Sequence, residues 1–308
     1  MLNKVKSTMR NLDESAFSLF RKSKSNFNEQ AAILKRDGYL VLDHLVGTSQ
    51  VNEIIEILNK KISNFEFRKP LLSQAKIDPV KHRDLIERNF LLERTALPQF
   101  GLDATINSHD SLNEFISRER PTTLEVDMPD DSRFYSIWLD EIIIGIISNY
   151  FGFTPVLCEA FIRRNYPSEY QIMNHGWHRD KNHPKHLLKV FLFLNDCTLE
   201  NGPHHFLEKS HTTDQLNKKN YYSDEEVSQY SDEIGLKEVK SIVPKGTIII
   251  EDTRGLHKAG IPQSHYRDLG FATFMPNRLI MKRKPDYTIS AKTRALLSSW
   301  QSQFIITK

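Results

Sequence analysis

The chain has 308 residues, with 42 Lys and Arg against 39 Asp and Glu, a net charge of +3, and two cysteines. That length buries a full core, as one large domain or two small ones, and the composition is that of a soluble globular protein. The charge is too small and too dispersed to argue for nucleic acid, and no apolar run approaches the ~20 residues of a membrane span.

The first ten residues are basic but no apolar stretch follows, so they do not read as a secretory signal. Residues 1–26, with one short helix around Ser15 to Phe20, are expected to form a flexible extension, and 27–308 a single domain. Asn28 to Arg36 reads as a helix stopped by Gly38, and Tyr39 to Val46 as a strand. Val51, Ile54, Ile55, Leu58 and Ile62 recur at helical spacing, which predicts a helix from Ser49 to Ser63. Residues 64–130 are the least regular, with helical stretches near His82 to Glu93 and Ser111 to Arg118; each piece reads first as a plain connecting region, with a lid over a site as the alternative. Asp131 or Ser132 caps a long helix running to Phe151, with Gly152 just past its end.

Strands dominate the core, from about 150 to 280. They are expected at Thr154 to Tyr166, Trp177 to Asp180, Leu187 to Leu194, His204 to Glu208, Val239 to Val243, Thr247 to Glu251 and Leu269 to Met275. Residues 212–235 are a polar insertion whose Ser223-x-x-Glu226 is a capping box. A C-terminal helix is expected over Ala291 to Ser302. Many short strands with turn residues between them and helices at the ends predict a mainly β fold: a jelly roll, or double-stranded β-helix, with flanking helices. Cys158 and Cys197 read as small apolar fillers rather than a bridge, which fits a reducing, cytoplasmic compartment.

The chemistry gathers at His178-Arg179-Asp180. In an extended segment His178 and Asp180 share one face, so an imidazole nitrogen and a carboxylate oxygen can share one cation. His257, in RGLHKAG, is the best third ligand. Two His and one carboxylate leave coordination positions open, the donor set of non-haem Fe(II) oxygenases. His175 is the main rival to His178, but no Asp stands two residues after it. His204 and His205 show no partner pattern. Lys189 is the one charge in an apolar strand; such a Lys usually reaches a sheet edge, and an anionic ligand is the alternative.

Five segments in order make the chain resemble the phytanoyl-CoA dioxygenase family of Fe(II)- and 2-oxoglutarate-dependent oxygenases, from about Asn28 to Pro276. They are the RDGYLVLDHLV opening, WHRD, ENGPHHFLEKSH with Lys209 where Gly is usual, VPKGTIIIEDTRGLHKAG, and Tyr266-Arg267. The resemblance implies that His178, Asp180 and His257 hold Fe(II), that Arg267 pairs with the distal carboxylate of 2-oxoglutarate, and that Asn165 faces the same co-substrate. It implies O2 as the second co-substrate, release of succinate and CO2, and hydroxylation of a small molecule. Members often carry a Ser two residues after the distal His; here that position is Ala259, which leaves Thr273 or Tyr266 as the hydroxyl beside Arg267.

Arg163, Arg164, Arg179 and Lys181 cluster near the motif. Strand alternation turns Arg179 away from the metal, so Arg163, Lys181 and Lys189 are the candidates to meet an anionic substrate, with a solvated rim as the plain alternative. Ser210-His211 reads as a structural turn. A cupin-like metal enzyme would share the ligands but would not need Arg267. A halogenating relative would have replaced Asp180, and a non-catalytic binding module is expected to have lost a ligand. Neither the substrate nor the oligomeric state is legible.

Overall fold

A computed structural model describes residues 27–63, 91–92, 123–167, 175–180, 187–276, 285 and 287–306. The expected N-terminal extension, the helix near Ser111 to Arg118, most of that near His82 to Glu93, and Lys181 lie outside these residues; Leu91–Leu92, where the latter helix is expected to end, form a short strand instead.

Apolar residues at helical spacing form α1 (Phe27–Asp37) and α2 (Thr48–Ser63), whose buried faces include Leu34, Val51, Ile54 and Leu58. The segment expected as one long helix is two: α3 (Ser132–Trp138) and α4 (Glu141–Phe151). The break has a local cause. Asp140 turns extended and accepts a 2.8 Å bond from the Ile142 amide, so it caps a second helix rather than continuing the first. Gly152 ends α4 at φ 72°, as expected of a left-handed stop. The Ser223–Glu226 capping box opens α5 (Asp224–Ile234). The C-terminal helix is shorter than expected: α6 (Ala291–Ala295), then a 3-10 turn at Gln301–Phe304.

The strands are β1 (Tyr39–Leu42), β2 (Leu91–Leu92), β3 (Thr123–Asp127), β4 (Pro155–Asn165), β5 (Leu188–Phe193), β6 (His204–Leu207), β7 (Glu238–Lys240), β8 (Ile248–Glu251), β9 (His257–Ala259) and β10 (Arg267–Pro276). β1 and β7 stop earlier than expected, β1 at a turn where His44 takes φ 55°. Among the described residues, a seven-stranded sheet has the order β1-β8-β5-β10-β4-β3-β2, and a three-stranded sheet the order β7-β6-β9.

Alternation divides the larger sheet into two faces. One face, with Leu40, Ile248, Ile250, Leu188, Val190, Leu192, Phe274 and Ile162, joins the helices in the main core. The other, with Tyr39, Ile249, Phe191, Phe193, Leu269, Phe271 and Phe161, closes on Phe206 of the smaller sheet. Two facing sheets with helices stacked outside the larger one make a jelly roll. Cys158 and Cys197 are both buried and pack as small side chains, as expected. No helix among the described residues is long and apolar enough to cross a membrane.

Candidate metal centre

His178 and His257 are brought together by backbone pairing. Each donates its amide to the other's carbonyl at 3.0 Å, an antiparallel bridge that puts both imidazoles on one side. Asp180 lies two residues on, its amide bonded to the Thr253 carbonyl at 3.0 Å. One ligand atom from each of His178, Asp180 and His257 lies within 4.8 Å of the others. His178 Nδ1 donates to the Gly176 carbonyl at 2.8 Å, and His257 Nδ1 to the Gly255 carbonyl at 3.0 Å. Those contacts fix the tautomers and leave both Nε2 lone pairs for a cation.

Electrostatics prepare the same three groups. Burial lowers the His178 imidazole, and burial with the adjacent His178 lowers His257 to about 3, so both imidazoles are neutral at physiological pH. Burial alone would raise the Asp180 carboxyl, but Lys189 and His257 more than offset it and hold it below the ordinary carboxylate range. His175 is 5 % exposed and lies outside the triad.

Arg267 is 1 % exposed at the start of β10, and burial lowers its guanidinium to about 10. Its Nη2 donates to Asn165 Oδ1 at 3.4 Å, across the β10–β4 register, while Nε and Nη1 have no hydrogen-bond partner. The family resemblance named both residues, and the strand register brings them together.

Other expectations fared differently. Thr273 is not beside Arg267: six residues along an extended strand is roughly 20 Å, and Thr273 Oγ1 donates to Glu159 at 2.6 Å. Tyr266 is 42 % exposed, with the Arg164 guanidinium 4.0 Å over its ring. Arg164 itself is tied to Asp268 by two 2.7 Å bonds and is structural. Arg179 points away from the triad, as alternation requires, and donates to the carbonyls of Ser210, Arg254, Gln215 and Leu216. Ser210 is a structural turn: its hydroxyl donates to Leu207 and accepts from the Leu256 amide. Lys209 takes φ 64°, in the left-handed region that Gly adopts most readily.

Lys189 reaches no edge, because β5 lies between β8 and β10. Its Nζ is 2.6 Å from Asp180 Oδ2. Arg163, also facing inward, holds its guanidinium 5.3 Å over Phe161 and 5.6 Å over Phe271.

His204 and Glu251 escaped the sequence reading. His204 lies 5.7 Å from His257, ring to ring, and its Nε2 is 2.8 Å from Glu251 Oε2, off the line of a hydrogen bond. Burial lowers the imidazole and raises the carboxyl, so both are neutral. One signal pointed to Glu251 alone: Lys189 and Glu251 are lone charges in apolar strands, and the register sets them side by side.

The phytanoyl-CoA dioxygenase family model matches residues 34–267. The epimerase SnoN from nogalamycin biosynthesis, solved with Fe3+, alpha ketoglutarate and nogalamycin RO, is 13% identical with a TM-score of 0.52, over 87% of this chain and 96% of that one. EctD from S. alaskensis with bound Fe is 15% identical with a TM-score of 0.51, over 87% and 83%. The carbocyclase SnoK, from the same biosynthesis as SnoN, is 12% identical with a TM-score of 0.50, over 88% and 95%. At such identities the likeness establishes the fold alone. No curated protein matches the sequence.

Proposed function

The chain belongs to the phytanoyl-CoA dioxygenase family, and on that premise we propose that it is an Fe(II)- and 2-oxoglutarate-dependent oxygenase that hydroxylates a small molecule. One observation carries the reading beyond family membership. The interior that holds the His178–Asp180–His257 triad also holds a buried guanidinium with two unpartnered nitrogens. An unpaired buried charge costs several kcal/mol, and a carboxylate held by an Arg fork relieves that cost. A metal enzyme without 2-oxoglutarate leaves Arg267 unexplained.

In this reading His178 and His257 supply Nε2 and Asp180 supplies a carboxylate oxygen to Fe(II). The bound metal supplies the O2 chemistry that couples decarboxylation of 2-oxoglutarate to oxidation of a substrate C–H bond. Arg267 receives the distal carboxylate of 2-oxoglutarate, with Asn165 aligning the guanidinium. The aromatic wall of Phe161, Phe191 and Phe271 keeps water from the interior. Arg163, over two of those rings, is the cation we assign to an anionic substrate; Lys189 is engaged by Asp180.

Succinate release measured with and without Fe(II), O2 and 2-oxoglutarate tests the class. Dependence on all three is expected, and turnover without 2-oxoglutarate overturns it. Product mass then tests hydroxylation. A gain of one oxygen atom is expected, whereas an isomer or a new ring, as the SnoN and SnoK activities would give, replaces that part of the reading.

A further inference from the structure

An ammonium in the interior of an apolar sheet loses most of its hydration and needs an anionic partner. Lys189 is the only charged residue of β5, and its side chain is 17% exposed. Three carboxyl groups surround it: Asp180, Glu251 beside it in register on β8, and Glu159 further along the row beyond Thr273. Glu251 is turned to His204, and Glu159 accepts from Thr273. Asp180 is the partner in contact, through an ion pair rather than an aligned hydrogen bond.

The charges in this interior therefore do not cancel once a divalent ion is added. Asp180 brings one negative charge to the triad, and Lys189 already draws on it at 2.6 Å. Arg163 and Arg267 add two more positive charges on the same face, and each disfavours charge on buried His175. Two opposed effects follow. Loss of an outer contact to a ligand typically weakens metal binding by about 10–100-fold. Repulsion between a unit charge and a divalent ion roughly 5 Å apart weakens binding by more than about tenfold even at the dielectric of water, and by several orders of magnitude at an effective value near 20. In this buried site the repulsion is the larger effect.

Resting on the reading of His178, Asp180 and His257 as metal ligands, we propose that Lys189 makes metal binding depend on 2-oxoglutarate. Its ammonium opposes the bare divalent ion, and the dianion of 2-oxoglutarate relieves that opposition. The two ligands then bind cooperatively, each tightening the other by the same factor. Lys189 acts through Asp180 and the local field, so it is a positioning residue and not a catalytic one.

Co(II) titration of the full chain, followed by visible absorption with and without 2-oxoglutarate, tests this. Lys189→Met is expected to bind Co(II) alone at least about tenfold more tightly than wild type. The extra tightening given by 2-oxoglutarate should fall by a similar factor. Lys189→Arg, which keeps the charge, should behave as wild type, and a thermal melt of the metal-free variants reports folding separately. Weaker or unchanged Co(II) binding by Lys189→Met overturns the proposal, as does an undiminished effect of 2-oxoglutarate. His178→Ala and His257→Ala decide the underlying reading on their own: if they bind Co(II) like wild type, the metal centre is misassigned, whatever Lys189 does.

Discussion

The two faces of the larger sheet are made by the same strands, one residue out of phase, and they obey different rules. The outer face is apolar except where Arg164 and Asp268 pair with each other: Leu188, Val190, Leu192, Ile248, Ile250, Ala272 and Phe274 are each fully buried under the helices. The inner face interrupts its aromatic rows with Lys189, Glu251, Thr273, Arg163, Asn165 and Arg267. Fully buried polar groups without partners, such as two nitrogens of Arg267, occur on the inner face. A sheet held together only by burial would have no reason to accept that cost. The outer face stabilises the fold, and the inner face gives up stability to present charge.

This division can be broken most sharply at the triad. His178→Ala, Asp180→Ala and His257→Ala should each abolish high-affinity Fe(II) binding and turnover, measured by metal titration and succinate release, while His175→Ala retains both. Loss of metal in His175→Ala alone would mean that the wrong histidine was chosen.

Next in size is Arg267. Arg267→Ala should raise the 2-oxoglutarate requirement on the order of 100-fold, because it removes a buried charge-assisted pair. Arg267→Lys should recover only part of this, since a point charge cannot reproduce the fork. An unchanged requirement in both would take Arg267 out of the site.

Phe274 tests the opposite face. Phe274→Ala should lower the unfolding free energy by about 3–5 kcal/mol, seen in a denaturant titration, with the metal affinity of the folded protein unchanged. A large loss of metal affinity at preserved stability would show that the two faces are not separable.

The smallest effect is expected at Arg163. Its half-buried guanidinium lies over two aromatic rings, so Arg163→Ala should lower turnover of an anionic substrate a few-fold. Added salt should narrow the difference from wild type. A rate indifferent to both salt and the substitution would leave Arg163 as packing.

Much of the site was legible because its logic is local. His178 and Asp180 share a face through simple alternation, and Arg179 between them turns outward for the same reason. Gly152 and the Ser223–Glu226 box mark helix ends from a few residues each. The hydroxyl sought beside Arg267 was not legible. Thr273 sits on the correct face of the correct strand, but its distance along β10 and its bond to Glu159 exclude it. His204 gave no signal of its own, since its partner Glu251 lies 47 residues away and meets it only across the two sheets.

By itself the sequence determined the alternating strands, the helix caps, the three residues proposed to hold a metal and the order of segments that marks the family. Each of these rests on periods of two or 3.6 residues, or on short spacings, that any isolated segment displays. The tertiary structure alone decided that Lys189 meets Asp180 rather than an edge, and that Glu251 meets His204. It also decided that Arg267 keeps two nitrogens unpartnered. Those outcomes depend on strand order and register, which are set by the closure of the whole sheet, and no local period carries that information.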